Sequence, residues 1–355
     1  MHSLNNLSRT QINNQLMIKL FHLYEEKGKA SNYKELFSKD EQILANEVLE
    51  LNIRYIAHFL GFELTDARIK LMSNIKKNYV PKNKDEILLN NLKLALMLIH
   101  ESKEDFYLNA NEVNDMASII FRGYDNVYLD SKGKTSSKQL IVPFEQQSKR
   151  AQLEDLIKKY NDTVKEDNYE LINVIFNFYV DFIQVAPFNK ENELIALMTI
   201  YTIIYNEFQV CRYDSFFKQL LDNKDNFKAA IVQSSFNWGL GFSQIDPLVQ
   251  IITNILLKMH SNLHEKKHIY TFDVKMNKQN NIEGIILDGP DVFTKSQLRK
   301  KAPLASESTI NRTLQILKQK NIITPLGKGR SAKWQRVSEK RKRFVPEQLS
   351  IFDKN

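Results

Sequence analysis

The chain has 355 residues, 43% hydrophobic and 26% charged, a globular balance that excludes a largely disordered protein; the length implies two or three domains. With 10 Gly and 8 Pro, long regular elements should dominate over turn-rich sheets, and the single Cys211 excludes a disulfide framework and a cysteine-only zinc site. No apolar run approaches the ~18–20 residues of a membrane helix, and MHSLNNLSRTQINNQ lacks a basic-then-apolar signal, so a cytoplasmic protein with no membrane partner is expected.

The net charge of +8 is unevenly spread. Thr294–Arg343 holds fifteen Lys and Arg against Glu307 and Glu339, a charge of +13 that leaves −5 for the rest. Such a split marks a nucleic-acid-binding module joined to a body with another task, the plainer reading being a solvated basic tail.

In chain order, Ile43–Leu60 and Asp85–Glu101 place apolar residues three and four apart and predict helices. Gly123–Lys138 is turn-rich and precedes a short apolar run, Leu140–Phe144, read as a surface hairpin or flap whose Pro143 confines it to an edge. Residues 147–167 predict an amphipathic helix. Tyr169–Val185, apolar on nearly all sides, predicts a central buried one, and a second buried helix is expected from about Glu191 to Phe208. Between these two lies Ala186-Pro187-Phe188-Asn189-Lys190, a loop held from both sides and so a good place for a site. Further helices are expected over Tyr213–Leu221, Asp225–Gln233 and Asp246–His264, and residues 270–290 read as a break in the helical pattern, a linker.

Phe293–Lys301, Ala302-Pro303 and Ser306–Gln319 predict helix, turn, helix, with Ser306 as N-cap and Ile310, Leu314 and Leu317 on one face of the second helix. Ser308, Thr309, Asn311 and Arg312 then fall on the other face, towards base edges. Ile322–Trp334 reads as two strands around a Gly-Lys-Gly-Arg turn, a wing that offers Lys328, Arg330 and Lys333 to phosphates. The expected partner is DNA, bound with strong salt dependence; a winged helix used for protein contacts is the alternative.

The Ala186–Leu197 segment resembles the central motif of the Fic family, H-P-F-x-[D/E]-G-N-G-R-x-x-R. Helical context on both sides, the Leu140–Phe144 flap and the C-terminal winged helix extend the resemblance over most of residues 1–340. It implies a loop that moves AMP from ATP to a protein hydroxyl: a His base, an acidic residue holding Mg²⁺, glycines whose backbone cradles phosphates, and arginines that neutralise them. Only Pro187, Phe188 and Asn192 match. Ala186 stands at the base position, Lys190 at the metal-carboxylate position, Glu191 and Glu193 at the two glycines, and Leu194 and Leu197 at the arginines. Pro187 and Phe188 are expected to set the turn and Asn192 to cap the following helix. A weak match to the family's inhibitory helix, Ile56–Gly61, puts Leu60 at its Glu.

His264-Glu265-Lys266-Lys267-His268 spells H-E-x-x-H, and His260 extends the row, but the Lys pair and the polar surroundings favour a solvated helix end over a zinc site. At the C-terminus, Gln348–Phe352 (QLSIF) resembles the peptide by which bacterial replication and repair proteins dock onto the sliding clamp; folding back onto the body is the favoured alternative, since an unpaired apolar terminus is normally buried.

The expectation is a mainly α fold: an N-terminal helical region (1–115), a Fic-like core (116–268), a linker (269–290), a small α+β winged helix-turn-helix (291–338) and a basic tail (339–355). The expected function is a catalytically degenerate pseudoenzyme acting as a DNA-binding regulator or scaffold, with no metal or cofactor, self-associating as a homodimer or meeting a protein target at the flap. The alternative is an active nucleotidyltransferase that uses ATP and Mg²⁺ with non-standard residues.

Overall fold

Apolar residues three and four apart become helices along most of the chain in the computed structural model, which describes residues 3–337 except 10–11, 39, 77–78, 102–106, 131–143, 145–146, 276–277, 288, 304 and 328–331. The chain divides into two units, Met1–His264 and Glu265–Asn355.

The first unit opens with a 3-10 turn (Leu4–Arg9), followed by α1 (Asn14–Gly28), α2 (Ala30–Phe37), α3 (Glu41–Leu60), α4 (Asp66–Met72), α5 (Lys84–Glu101) and α6 (Ala110–Ile120). Then come α7 (Lys149–Glu166), α8 (Leu171–Val185), α9 (Asn192–Glu207), α10 (Phe216–Asp222), α11 (Lys224–Ser235) and α12 (Asp246–Lys275), the last of which continues past His264 into the second unit. Asn13, Thr65, Asn109, Ser148 and Ser215 each accept a backbone N–H at a helix start, which explains where α1, α4, α6, α7 and α10 begin. Gly61, at φ 77°, ends α3 in the left-handed conformation that glycine adopts most readily.

The core is built on α8 and α9. From Ile172 to Phe182 every residue of α8 is buried, as is every residue of α9 from Leu194 to Tyr205. Their polar groups are matched. The fully buried Asn52 of α3 donates to Tyr201 Oη (2.9 Å) and accepts from Ser215 Oγ (2.7 Å), tying α3, α9 and α10 together. The carboxylate of Asp181 accepts the backbone N–H groups of Ser3 and Leu4 and the Trp238 indole, so the N-terminal turn is anchored on α8. Glu86, buried on α5, takes a bidentate pair from Arg68 (2.7 and 2.8 Å), which holds its carboxyl below the usual range.

In the second unit, α13 (Lys278–Leu287), β1 (Val292–Thr294), α14 (Lys295–Lys301), α15 (Glu307–Gln319), β2 (Ile323–Pro325) and β3 (Lys333–Arg336) share one core. The sheet is antiparallel in the order β1-β3-β2, with Trp334 opposite both Phe293 and Pro325. Pro325 lies on an edge strand, where its missing N–H is tolerated. Ile282 and Ile286 of α13 pack with Leu298, Ile310, Leu314 and Leu317.

Three readings of the sequence change. Residues 270–290 hold the end of α12 and all of α13, because Ile282, Ile285 and Ile286 form a helical apolar stripe that finds a core. Phe293 belongs to a strand, and the helix begins after Thr294, whose capping box with Gln297 sets the start. Gln209–Arg212 is a 3-10 turn, and the helix expected from Tyr213 begins only at Phe216, after the Ser215 cap.

Candidate functional site

The α8–α9 loop begins where α8 runs out. Ala186, at φ 46°, closes the helix in the left-handed region, and Lys149 Nζ at the start of α7 donates to the carbonyl of Val185. Phe188 is buried, with its ring stacked on Phe182 at 6.5 Å. Asn192 holds the turn shut: its amide oxygen accepts the Phe188 N–H (2.9 Å) and its amide nitrogen donates to the Phe188 carbonyl (2.8 Å). It therefore does not cap α9 as expected, since both ends of its amide are engaged within the loop. The cap position falls to Glu191, which makes no side-chain capping bond.

A second strand of backbone braces the outer side. Leu129 forms an antiparallel bridge to Phe188, Asp130 N–H donates to the carbonyl of Pro187 (3.2 Å), and Asn189 exchanges bonds with Tyr128 and with the carbonyl of Asn126. Lys190 reaches Asp125 at 2.6 Å, and this contact holds the Asp125 carboxyl below its ordinary range. The site expected to carry a metal-binding carboxylate thus carries a cation already paired.

Glu191 sits at φ 61°, ψ 23°. The backbone keeps the left-handed turn that suits glycine while carrying a bulky side chain, a strain of about 1–2 kcal/mol. Glu191 and Glu193 then line a cavity of about 300 Å³, walled by Phe59 and Leu60 of α3, Leu194 and Leu197 of α9, and Phe227 and Ile231 of α11. Lys228, Tyr124 and Tyr179 also face it. Burial, and then the nearby Glu193 charge, pushes the Tyr179 hydroxyl up; burial and then Glu191 do the same to Tyr124.

No family model matches the chain, and no curated protein matches it. Solved structures do. A Fic family protein from Desulfovibrio desulfuricans G20 superposes with a TM-score of 0.56 over 93% of this chain and 98% of its own, at 12% identity. The chain has the Fic fold. A Fic-domain-containing signaling protein from Bacteroides thetaiotaomicron VPI-5482 matches with a TM-score of 0.45 at 15% identity, covering 68% of this chain and 94% of its own. Fic-1 from C. elegans matches with a TM-score of 0.49 at 13% identity, covering 71% and 73%.

On this Fic fold, the residues that line the cavity include those which the sequence resemblance set against phosphates. Leu60 of α3 and Leu194 and Leu197 of α9 converge on its wall. Phe227, Lys228 and Ile231 of α11 were not among the expected site residues. Within the flap, Leu140, Ile141, Val142 and Pro143 lie outside the described residues. In the H-E-x-x-H row and its extension, His264 pairs with Glu26 (2.7 Å) and meets the edge of the Tyr33 ring, while His260 is buried.

In the second unit, Ser306 caps α15 through the Thr309 N–H, and Ile310, Leu314 and Leu317 face the core. Ser308 and Arg312 are exposed, Thr309 and Asn311 half-buried, and the Asn311 amide oxygen is shut off from solvent without a hydrogen-bond partner among the described residues. Lys333 is exposed on β3, as are Arg299, Lys300 and Lys301 at the end of α14; Lys328 and Arg330 lie outside the described residues.

Proposed function

We propose that this Fic-fold protein is a non-catalytic regulator that binds DNA through its second unit, used as a winged helix. The observation that carries the reading is α15: its apolar face supplies the core, while Ser308 and Arg312 near its N-terminus remain exposed beside a surface rich in Lys and Arg. That is the arrangement in which a helix reads base edges and surrounding cations contact phosphates. The motif loop supports the other half of the reading. Ala186 offers no proton acceptor, Lys190 is paired to Asp125, and Leu194 and Leu197 are buried, so base, metal ligand and phosphate-neutralising groups are missing together.

Filter retention of labelled duplex by the full chain tests the proposal. Affinity should fall steeply with salt, Arg312→Ala should relax sequence preference at a cost of about 1–3 kcal/mol, and Lys333→Ala should weaken all sequences with a shallower salt slope. Retention that is absent, or indifferent to salt, would reject DNA as the partner. Incubation with labelled ATP, Mg²⁺ and lysate addresses the transferase alternative; label transfer lost in a Pro187 variant would overturn the non-catalytic reading. Self-association and a protein target at the flap belong to the same scaffold role. The Gln348–Phe352 peptide lies outside the described residues. Deleting 347–355 separates its two readings, since fold-back lowers thermal stability and clamp docking does not.

A further inference from the structure

We infer that the segment Val232–Phe242 of the first unit is the contact surface for a second copy of this chain, which meets it through the same segment in a two-fold pair. The inference rests on the self-association within the scaffold reading and not on DNA binding. Four large apolar side chains of this segment stand out to solvent: Val232 is 71% exposed, Phe236 69%, Leu240 71% and Phe242 58%. Val232 lies on the last turn of α11, and Leu240 on the 3-10 turn Trp238–Leu240 that follows. At these exposures the four leave about 450 Å² of apolar surface open, as much as the largest patch on an ordinary monomer. A standard interface takes about 800 Å² from each partner, a little over half of it apolar, so this patch supplies the apolar part of one such contact.

The absence of charge identifies the occupant. Ala229–Ile245 contains no charged residue, in a chain that is 26% charged. In a two-fold contact each group faces its own kind, so a charged patch repels itself and an uncharged one does not. The exposed polar side chains of the segment, Gln233, Asn237 and Gln244, are amides that carry both donors and acceptors and can pair with copies of themselves. Arg9 lies at its edge, with the guanidinium 5.7 Å from the Phe242 ring centre. The segment is also fixed in place. Gln184 of α8 donates to Ser235 Oγ (2.9 Å), the Trp238 indole to Asp181 (2.7 Å) and Gln233 to Gln244 Oε1 (2.8 Å). Asn237 and Gly241 turn the backbone at φ 60° and 74°, and the Asn237 carbonyl accepts the N–H groups of Leu240 (3.0 Å) and Phe242 (3.2 Å). A Cβ at position 241 would come within 2.3 Å of Asn6 Nδ2, so glycine lets the turn press against the N-terminal segment. Apolar side chains held outward by this many bonds are preorganised for a partner, and little entropy is lost when it docks.

Analytical ultracentrifugation of the full chain at micromolar concentration tests the inference. The mass should be twice 41.6 kDa and fall to 41.6 kDa on dilution. Phe236→Glu/Leu240→Glu, which sets carboxylates against their own copies, should leave a monomer with native circular dichroism, as should Phe236→Lys/Leu240→Lys. An equimolar mixture of the two double variants should regain the double mass, because only a patch that faces its own copy brings the opposite charges together. Should the charged variants lose their native dichroism, Phe236→Ser/Leu240→Ser is read in their place and should also be monomeric. A native chain that stays monomeric overturns the inference, and if it pairs only once residues 347–355 are deleted, the patch belongs to that tail. A double mass that survives in a folded variant, or a mixture that stays monomeric, overturns it as well. Filter retention of DNA in the same samples keeps the readings apart: a monomer that retains DNA sinks the interface alone. A double mass that persists in the folded variants sinks this surface and leaves self-association through another.

Discussion

The α8–α9 loop and the α14–α15 turn are both short connections between packed helices, and their polar groups have opposite fates. In the first, Asn189 and Asn192 bond to neighbouring backbone and Lys190 is paired with Asp125. In the second, Ser306 caps α15, while Arg312, nearly two turns further along that helix, is exposed and makes no ion pair among the described residues. Side chains already bonded within the fold hold shape; exposed basic ones such as Arg299, Arg312 and Lys333 remain available to a partner. In the α8–α9 loop the residues that make the turn are bonded within it.

The comparison breaks most severely if the core behind α15 is removed. Leu314→Ala, at a fully packed position, should cost about 3–4 kcal/mol and abolish DNA retention together with the unfolding transition of the second unit, read by denaturant melts. Asn192→Ala leaves the Phe188 N–H and carbonyl without their side-chain partner and should cost about 2–3 kcal/mol, with DNA retention unchanged. A smaller loss that also weakened DNA binding would erase the distinction between the two loops.

Acid sharpens the contrast within the first unit. Burial holds the His100 imidazole down to about 3 and His260 down to about 4, against 6.5 for a free histidine. Between pH 6.5 and 4 the unfolded chain takes up protons that these side chains refuse. Stability is therefore complete above pH 7 and falls as the pH drops, by at most about 1.4 kcal/mol per pH unit for each histidine. His260→Leu should flatten part of that slope in denaturant melts across pH 4–7. The smallest expected effect is a gain: Glu191→Gly relieves the left-handed side chain and should stabilise the protein by about 0.5–1 kcal/mol, seen as a higher denaturant midpoint at unchanged slope.

Most helices were legible in the sequence because a 3.6-residue apolar repeat and a Ser, Thr or Asn at its start are local signals. Ile43–Leu60, Tyr169–Val185 and the Ser306-capped α15 are nearly as expected. The linker over 270–290 was misread because Asn280 and Asn281 weaken the helical signal, and only Phe293, Leu298 and Leu314 show what the isoleucines of α13 pack against. The Pro187-Phe188 turn and the residues that stand at each motif position could also be read one by one. What the sequence could not contain was the cavity. Its walls come from Phe59, Leu194 and Phe227, on three helices distant along the chain, and its charge depends on Glu191, Glu193 and Lys228 being gathered on one rim. Caps and periodicities are properties of neighbours in the chain and so belong to the sequence; an open cavity and the charge around it arise only when the helices pack.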